Sequence, residues 1–355
     1  MHDRHALVVD DPDVRTGGRT SLMTVRALAA GGYRPLLLTT ARGTMAAASN
    51  VCAGVVVADE PSTRGVLQAV RRLTEETDDV TTFPTGDGMV LALHPEHGHL
   101  VDKSCLAERA REVGFETPPT QMVLDAAQAR SLRDRLRYPV VVKPARAHGT
   151  RVARDPASFV ALSQGPFPIL VQPFLPLEIR TMAGVLHDGR FRALVHQRFL
   201  RTWPPDAGMA AASVTTPPEP ERESKGLALL DGYEGVFQLQ FLGPYLMDAN
   251  LRVYASLSLA LAAGVNLPAI FCDARRGVDA PLRRATPGVY YRWLDADLRH
   301  AIVGLRDGTL SPIEALRQLR PRRHTARGGP ESLRDPKPAL ARGRQVLSGR
   351  SRGPG

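Results

Sequence analysis

Cysteine is scarce in this chain of 355 residues: Cys52, Cys105 and Cys272 stand far apart, with no CxxC pair among them. That spacing argues against a disulfide framework and against a cysteine-built zinc cage, and a reducing, cytoplasmic setting is expected. No apolar run approaches membrane-spanning length, and the short apolar stretch before Asp10 is too brief for a signal-peptide core. A soluble protein with no membrane partner is expected. Lysine is also rare, with four residues against 42 arginines. An ammonium is a compact point charge on a flexible stem, whereas a guanidinium is a broad planar fork, so a lysine retained against this drift draws interest. Lys103 and Lys143 are the two of interest; chance retention is the simpler alternative.

What is present points to a sizeable folded protein. The hydrophobic content of 43% is enough for a large core, and the length suggests two or more domains. The formal charge of +10 is concentrated at one end: residues 320–355 hold ten Arg or Lys against Glu331 and Asp335, a local net of +8. The body is close to neutral. The basic end is rich in Gly, Pro and Ser and lacks an apolar period, so it reads as a mobile, disordered tail. No specific nucleic-acid partner is expected, and any weak contact with RNA would weaken steeply with salt.

The apolar pattern alternates between strands and helices over about the first hundred residues. Ala6 to Val9, Tyr33 to Thr40, Val55 to Ala58 and Val80 to Pro84 read as strands, and Arg64 to Glu76 as an amphipathic helix. This predicts a doubly wound α/β domain. Beyond it, Asp102 to Val113 and Ala126 to Leu136 read as helices, and Tyr138-Pro139 opens the continuous apolar strand VVVKP. From Ile169 the reading is mostly β, with a hairpin at His187-Asp188-Gly189 and another around Gly243-Pro244. The charged stretch from Asp295 to Leu319 predicts one or two peripheral helices.

Three segments carry candidate chemistry. Asp248, Asn250 and Arg252 are spaced by two, so a pleated strand sends all three side chains to one face. If Gly243-Pro244-Tyr245 forms a three-residue turn, Gln240 lies opposite Asp248 and Gln238 opposite Asn250. Oxygen donors of this kind suit magnesium, and an adjacent arginine can hold phosphate or carboxylate through paired hydrogen bonds; a solvated polar strand face has the same spacing. Lys143 ends a strand that is apolar on both faces, which suits a charge at a ligand rim. The polar loop after it, with Gly149, could turn backbone N–H groups toward phosphates, or be an ordinary connector. Asp102-Lys103 opens a helix, where an anion is favoured and Lys103 adds a cation; a capping Asp followed by an exposed Lys would look the same.

Taken in order, DKSCLAERAREVGFETPPT, YPVVVKP, ILVQPFL and QLQFLGPYLMDANLR resemble the ATP-grasp superfamily, in its carbamoyl-phosphate-synthase-like and carboxylate-amine-ligase branch, over roughly residues 80–275. The resemblance implies an α/β and α+β chain. A doubly wound domain at 1–100 precedes a small lobe at 101–167 and a large lobe at 168–319 that includes the C-terminal helices, with the basic tail at 320–355. It implies that Lys103 and Lys143 contact the nucleotide, that Gln172, Phe174 and Leu175 flank adenine, and that Glu178 binds ribose, although the glycine usual before that acid is missing. Asp248 and Asn250 are implied as ligands of magnesium, with manganese as a substitute, and Gln240 stands at a third ligand position. Arg252 and Lys143 are the implied catalytic cations. Arg198 and Arg201, ahead of a Pro-rich loop, are candidates for the acceptor substrate; exposed arginines at a strand end are an equal alternative.

The implied reaction transfers the γ-phosphoryl group of ATP to a small-molecule carboxylate, and an amine or thiol then attacks the acyl phosphate. No Ser/His/Asp nucleophile is needed. Departures from the pattern are Gln240 where a glutamate is common, Asp248 for glutamate, Leu251 for proline, and an unusual loop after Lys143. They keep a non-catalytic or regulatory ATP-binding relative as the alternative. A homo-oligomer is compatible with the sequence.

Overall fold

The computed structural model describes residues 4–12, 18–76, 80–145, 149–322 and 325–347. Its first layer is the parallel sheet that the apolar runs predict. β1 (His5–Val9), β2 (Arg34–Thr39), β3 (Gly54–Val57) and β4 (Thr81–Pro84) pair in the order β3-β2-β1-β4. Helix α1 (Arg19–Ala30) covers one face, and α2 (Thr63–Glu76) and α3 (Asp87–Leu93) lie on the other. Between the ends of β1 and β4 the Gly86 backbone and the Asp11 side chain come unusually close. A Cβ on Gly86 would sit 2.3 Å from the Asp11 carboxylate, so only glycine admits the buried Asp11 there.

Short helices α4 (Gly98–Val101) and α5 (Lys103–Glu112) lead into a second, antiparallel sheet. β5 (Gln121–Val123), β6 (Val140–Pro144), β7 (Arg151–Ala153) and β8 (Ile169–Pro173) pair in the order β5-β8-β6-β7, backed by α6 (Ala126–Leu132) and α7 (Pro156–Leu162). Two expectations change here. ILVQP belongs to this sheet, between β5 and β6, rather than to the large lobe begun at residue 168. Its four buried residues need apolar surface on both sides, and the small sheet supplies it. The loop after Lys143 also contains a strand, because Arg151 to Ala153 returns to pair with Val140 to Val142. Residues 146–148 of that loop lie outside the described residues.

The third sheet is the largest. It comprises β9 (Ile179–His187), β10 (Arg190–Trp203), β11 (Met209–Thr216), β12 (Gly235–Leu242), β13 (Tyr245–Asn250), β14 (Arg283–Arg284), β15 (Tyr290–Arg292) and β16 (Ala326–Arg327). Its order is β13-β12-β9-β10-β11-β15-β16, with β14 beside β10. Around it lie α8 (Pro220–Leu229), α9 (Leu257–Ala262), α10 (Leu267–Arg275), α11 (Leu294–Arg306) and α12 (Pro312–Leu319), and α13 (Lys337–Leu347) ends the described residues. Among the described residues no helix is long and apolar enough to cross a membrane.

The cores explain how these layers join. Val8, Leu22, Leu28 and Phe83 of the first layer share one apolar cluster with Ala183, Val185 and Val195 of the large sheet. The small sheet has a separate cluster around Val140, Val142, Phe159, Ile169 and Val171. One continuous core thus unites the first and third sheets, and the small sheet is a distinct body beside them.

The basic end is a correction to the sequence reading. Residues 325–347 are folded onto the body rather than forming a disordered tail: β16 pairs with β15 of the large sheet, and Asp335, against the first layer, is only 4% exposed; residues 323–324 and 348–355 of the expected tail lie outside the described residues. Asp335 accepts from Arg26 Nε at 2.9 Å, Ser49 Oγ at 2.7 Å and Asn50 N at 2.8 Å. Burial by itself would raise the pKa of this carboxyl, but the donors from Asn50, Ser49 and Arg26 outweigh it and hold the group below its ordinary value. Composition hid the anchor because one buried acid among ten basic residues hardly alters the average.

Candidate active site

The predicted strand pair forms with the predicted register. Gln238 lies opposite Asn250 and Gln240 opposite Asp248. The turn itself is one residue shorter than expected, since Leu242 pairs with Tyr245 and a bulge follows Gln240. Gly243, at φ 57°, takes the first turn position, where a side chain would be strained. The bulge restores the alternation, so all four polar side chains share one face.

Two lysines from different elements converge on this face. Asp102 caps α5 by accepting from Ser104 N at 2.9 Å, and the Lys103 amide donates to Ala145 O at 3.2 Å, tying the helix start to the end of β6. Lys103 Nζ lies 3.6 Å from Asp248 Oδ1. Lys143, only 7% exposed, shares a hollow with Lys103 and Gln172. Burial pushes the Lys143 ammonium down to about 8; Asp248 opposes that shift and Lys103 adds to it. Two cations are thus gathered around a single carboxylate, an arrangement that favours a further anion.

Arg252 is fixed by a residue that the sequence reading passed over. Its Nε donates to Asp87 Oδ1 at 2.6 Å and its Nη2 to Asn250 Oδ1 at 2.7 Å. Asp87 is buried at the first turn of α3, so the first layer orients a cation of the large sheet. The signal was present as Gly86-Asp87-Gly88 directly after a strand, but nothing local pointed to a partner 165 residues away.

The donor set is consistent with magnesium. One carboxylate and neighbouring amide oxygens suffice when phosphate oxygens and water fill the rest of an octahedral shell. Asp248 is half-buried, Asn250 is buried, and Gln240 Nε2 donates to Gln238 Oε1 at 3.2 Å. Nearby, Gln238 Nε2 and Thr181 Oγ1 are buried without hydrogen-bond partners among the described residues, and Thr181 stands opposite Gln240 on β9. Orphaned polar atoms of this kind mark a place where a polar group is missing.

The remaining predicted residues divide between the hollow and its surroundings. Gln172 is buried and donates to Thr120 Oγ1 at 2.7 Å, and the Phe174 amide donates to Pro139 O at 3.1 Å. Phe174 and Leu175 are half-buried on the segment that joins the small sheet to β9. Glu178 is exposed and accepts from Arg180 and from Arg198, the latter at 3.4 Å. Arg201 is committed elsewhere: it donates to Tyr290 Oη at 2.7 Å and to Asp297 Oδ2 at 3.1 Å, with Asp297 fully buried. That pairing fastens β10 to α11, so the structure gives Arg201 a structural partner where the sequence suggested a substrate.

No protein-family model and no curated protein matches the chain. Solved structures do. The N5-carboxyaminoimidazole synthetase of Staphylococcus aureus in complex with ADP is 12% identical with a TM-score of 0.60, over 80% of each chain. An L-amino acid ligase from Bacillus licheniformis is 12% identical with a TM-score of 0.58, over 78% of this chain and 75% of that one. The biotin carboxylase domain of 2-oxoglutarate carboxylase from Hydrogenobacter thermophilus, in complex with magnesium-ADP and bicarbonate, is 15% identical with a TM-score of 0.57, over 82% and 74%. At these identities the likeness is one of fold, and the chain has the ATP-grasp fold.

Proposed function

We propose that the protein is an ATP-dependent ligase that activates a small-molecule carboxylate as an acyl phosphate for attack by an amine or thiol. The observation that carries this reading is that Lys143 and Lys103, which share one hollow, both lie close to Asp248, next to Asn250 and the Asp87-held Arg252. The likeness to enzymes whose structures contain ADP and magnesium-ADP supports it.

In this reading the Lys103–Asp248 pair is a resting arrangement. Lys103 and Lys143 would hold the phosphate oxygens of a bound nucleotide, and Asp248, Asn250 and Gln240 would hold the metal. Bound magnesium supplies charge neutralisation at the phosphates. Gln172, Phe174, Leu175 and Glu178 line the adenosine end. Arg252, aimed by Asp87, holds its guanidinium toward the transferring phosphoryl group, where preorganised charge lowers the barrier most. Burial of Lys143 keeps water from screening that charge. Arg198 pairs with Glu178 and so stands at the same adenosine end. Gln240 leaves Asp248 as the carboxylate of the Gln240–Asp248–Asn250 set, which fits one firmly held ion.

The test is direct. Purified protein should bind ATP only with magnesium and release ADP when pools of carboxylates and amines are supplied, with the product identified by mass. Lys143→Ala and Asp248→Ala should each abolish binding while circular dichroism stays unchanged. Unchanged ATP affinity in both variants would refute the site. Binding without ADP release on any pool would favour the non-catalytic alternative.

A further inference from the structure

The packed helices α11 and α12 each carry large apolar side chains that the described residues leave exposed. On α11, Leu294, Leu298, Ile302 and Leu305 are 42%, 40%, 62% and 42% exposed; on α12, Ile313 and Leu316 are 64% and 74% exposed. Steps of four, four and three residues place the first four on one stripe of the helix. The helix cannot roll to hide it. Its other face is already used by the buried Ala296, Asp297, Ala301 and Gly304, and Asp297 is held by ion pairs to Arg201 and Arg292.

The six side chains expose about 600 Å² of apolar surface, the top of what a monomer usually shows. Two such faces together would bury about 1,200 Å², and a polar rim would bring the total into the range of stable specific interfaces. Other occupants from within the chain are poor candidates. The segments outside the described residues contain Met1 and Val14 as their only large apolar side chains.

We propose that this face is the contact surface of a homodimer, with α11 packed antiparallel against its copy across a two-fold axis near the middle of the helix. About His300, Leu298 and Ile302 lie two residues to either side, and Leu294 and Leu305 lie six and five residues away. The isologous contact therefore sets Leu298 against the partner's Ile302, and Leu294 against the partner's Leu305. Charge agrees with the direction. Asp295 lies in the first turn and Arg306 in the last, so antiparallel packing brings each toward the opposite charge and opposes the two helix dipoles. Parallel packing would bring like charges together.

Sedimentation or light scattering on the full chain tests this. The wild type should run at twice 38.5 kDa, and Ile302→Glu with Leu316→Glu should raise the dissociation constant about 100-fold, since buried charges would lack partners. A wild type that stays monomeric at about 100 μM, far above a micromolar constant, overturns the proposal, and so does a double variant that remains dimeric. A second measurement covers a variant that folds poorly. In a Cys105→Ser background, a pool of Leu298→Cys mixed with a pool of Ile302→Cys should form disulfide dimers faster than either pool alone, and no excess in the mixture overturns the antiparallel register.

Discussion

Replacing Lys143 by methionine should make the nucleotide-free protein more stable while removing its nucleotide affinity. The ammonium is pushed from 10.5 to about 8, chiefly by burial. That difference corresponds to about 3 kcal/mol that folding spends on keeping the charge inside. The direction with pH follows from which state holds the proton. Below pH 8 both states are protonated, and the folded state bears the whole cost. Between 8 and 10.5 the folded lysine releases its proton while the unfolded one keeps it, so stability rises with pH. Methionine keeps the stem's apolar contacts and discards the charge. Lys143→Met should therefore gain up to about 3 kcal/mol at pH 7, or about 5 °C in Tm for a chain of this size. The gain should shrink as pH approaches 10.5. Thermal scans from pH 7 to 10, with and without magnesium-ATP, read both effects. Magnesium-ATP should raise the wild-type Tm and leave the variant's unchanged. A variant that is less stable than wild type at pH 7, or a gap that does not narrow with pH, would refute the reasoning. So would a variant that still gains stability from magnesium-ATP.

Other consequences are independent of that one. Asp87→Ala removes the acceptor that orients Arg252, and turnover should fall about 10- to 100-fold while the ATP dissociation constant moves only a few-fold; equal losses in both would make Asp87 a binding residue. Gln240→Glu adds a second anion beside Asp248 and should lower the magnesium needed for half-maximal nucleotide binding about tenfold, read by titrating magnesium at fixed ATP. Asp335→Ala leaves Arg26 without its buried carboxylate and should cost about 3 kcal/mol in urea unfolding. No loss there would mean that the C-terminal segment adds nothing to stability.

Much of the site was readable along the chain because its residues come from regular strands and a helix start. DxNxR at a spacing of two puts Asp248 and Asn250 on one strand face, with Arg252 two residues on and just past the strand end, while the turn at Gly243-Pro244 sets the glutamines opposite only together with the bulge after Gln240. Lys143 was legible as the charged end of an apolar strand. Arg201 shows the limit of such reading. It sits in the expected segment, yet a buried acid on a distant helix claims its guanidinium, and no local pattern announces Asp297.

The sequence by itself determined the alternation of elements, the polar residues of the last hairpin and the positions of the two retained lysines, because each follows from side-chain period and turn chemistry over a few residues; the bulge after Gln240 decided the hairpin's register. Tertiary structure decided what those residues meet. It placed Lys103 against Asp248, buried Lys143 until its charge became costly, brought Asp87 across from the first layer to Arg252, and folded the basic C-terminal segment down through Asp335. These are contacts between residues far apart in the chain, set by which apolar faces share a core, and composition averaged over a segment does not register one buried partner.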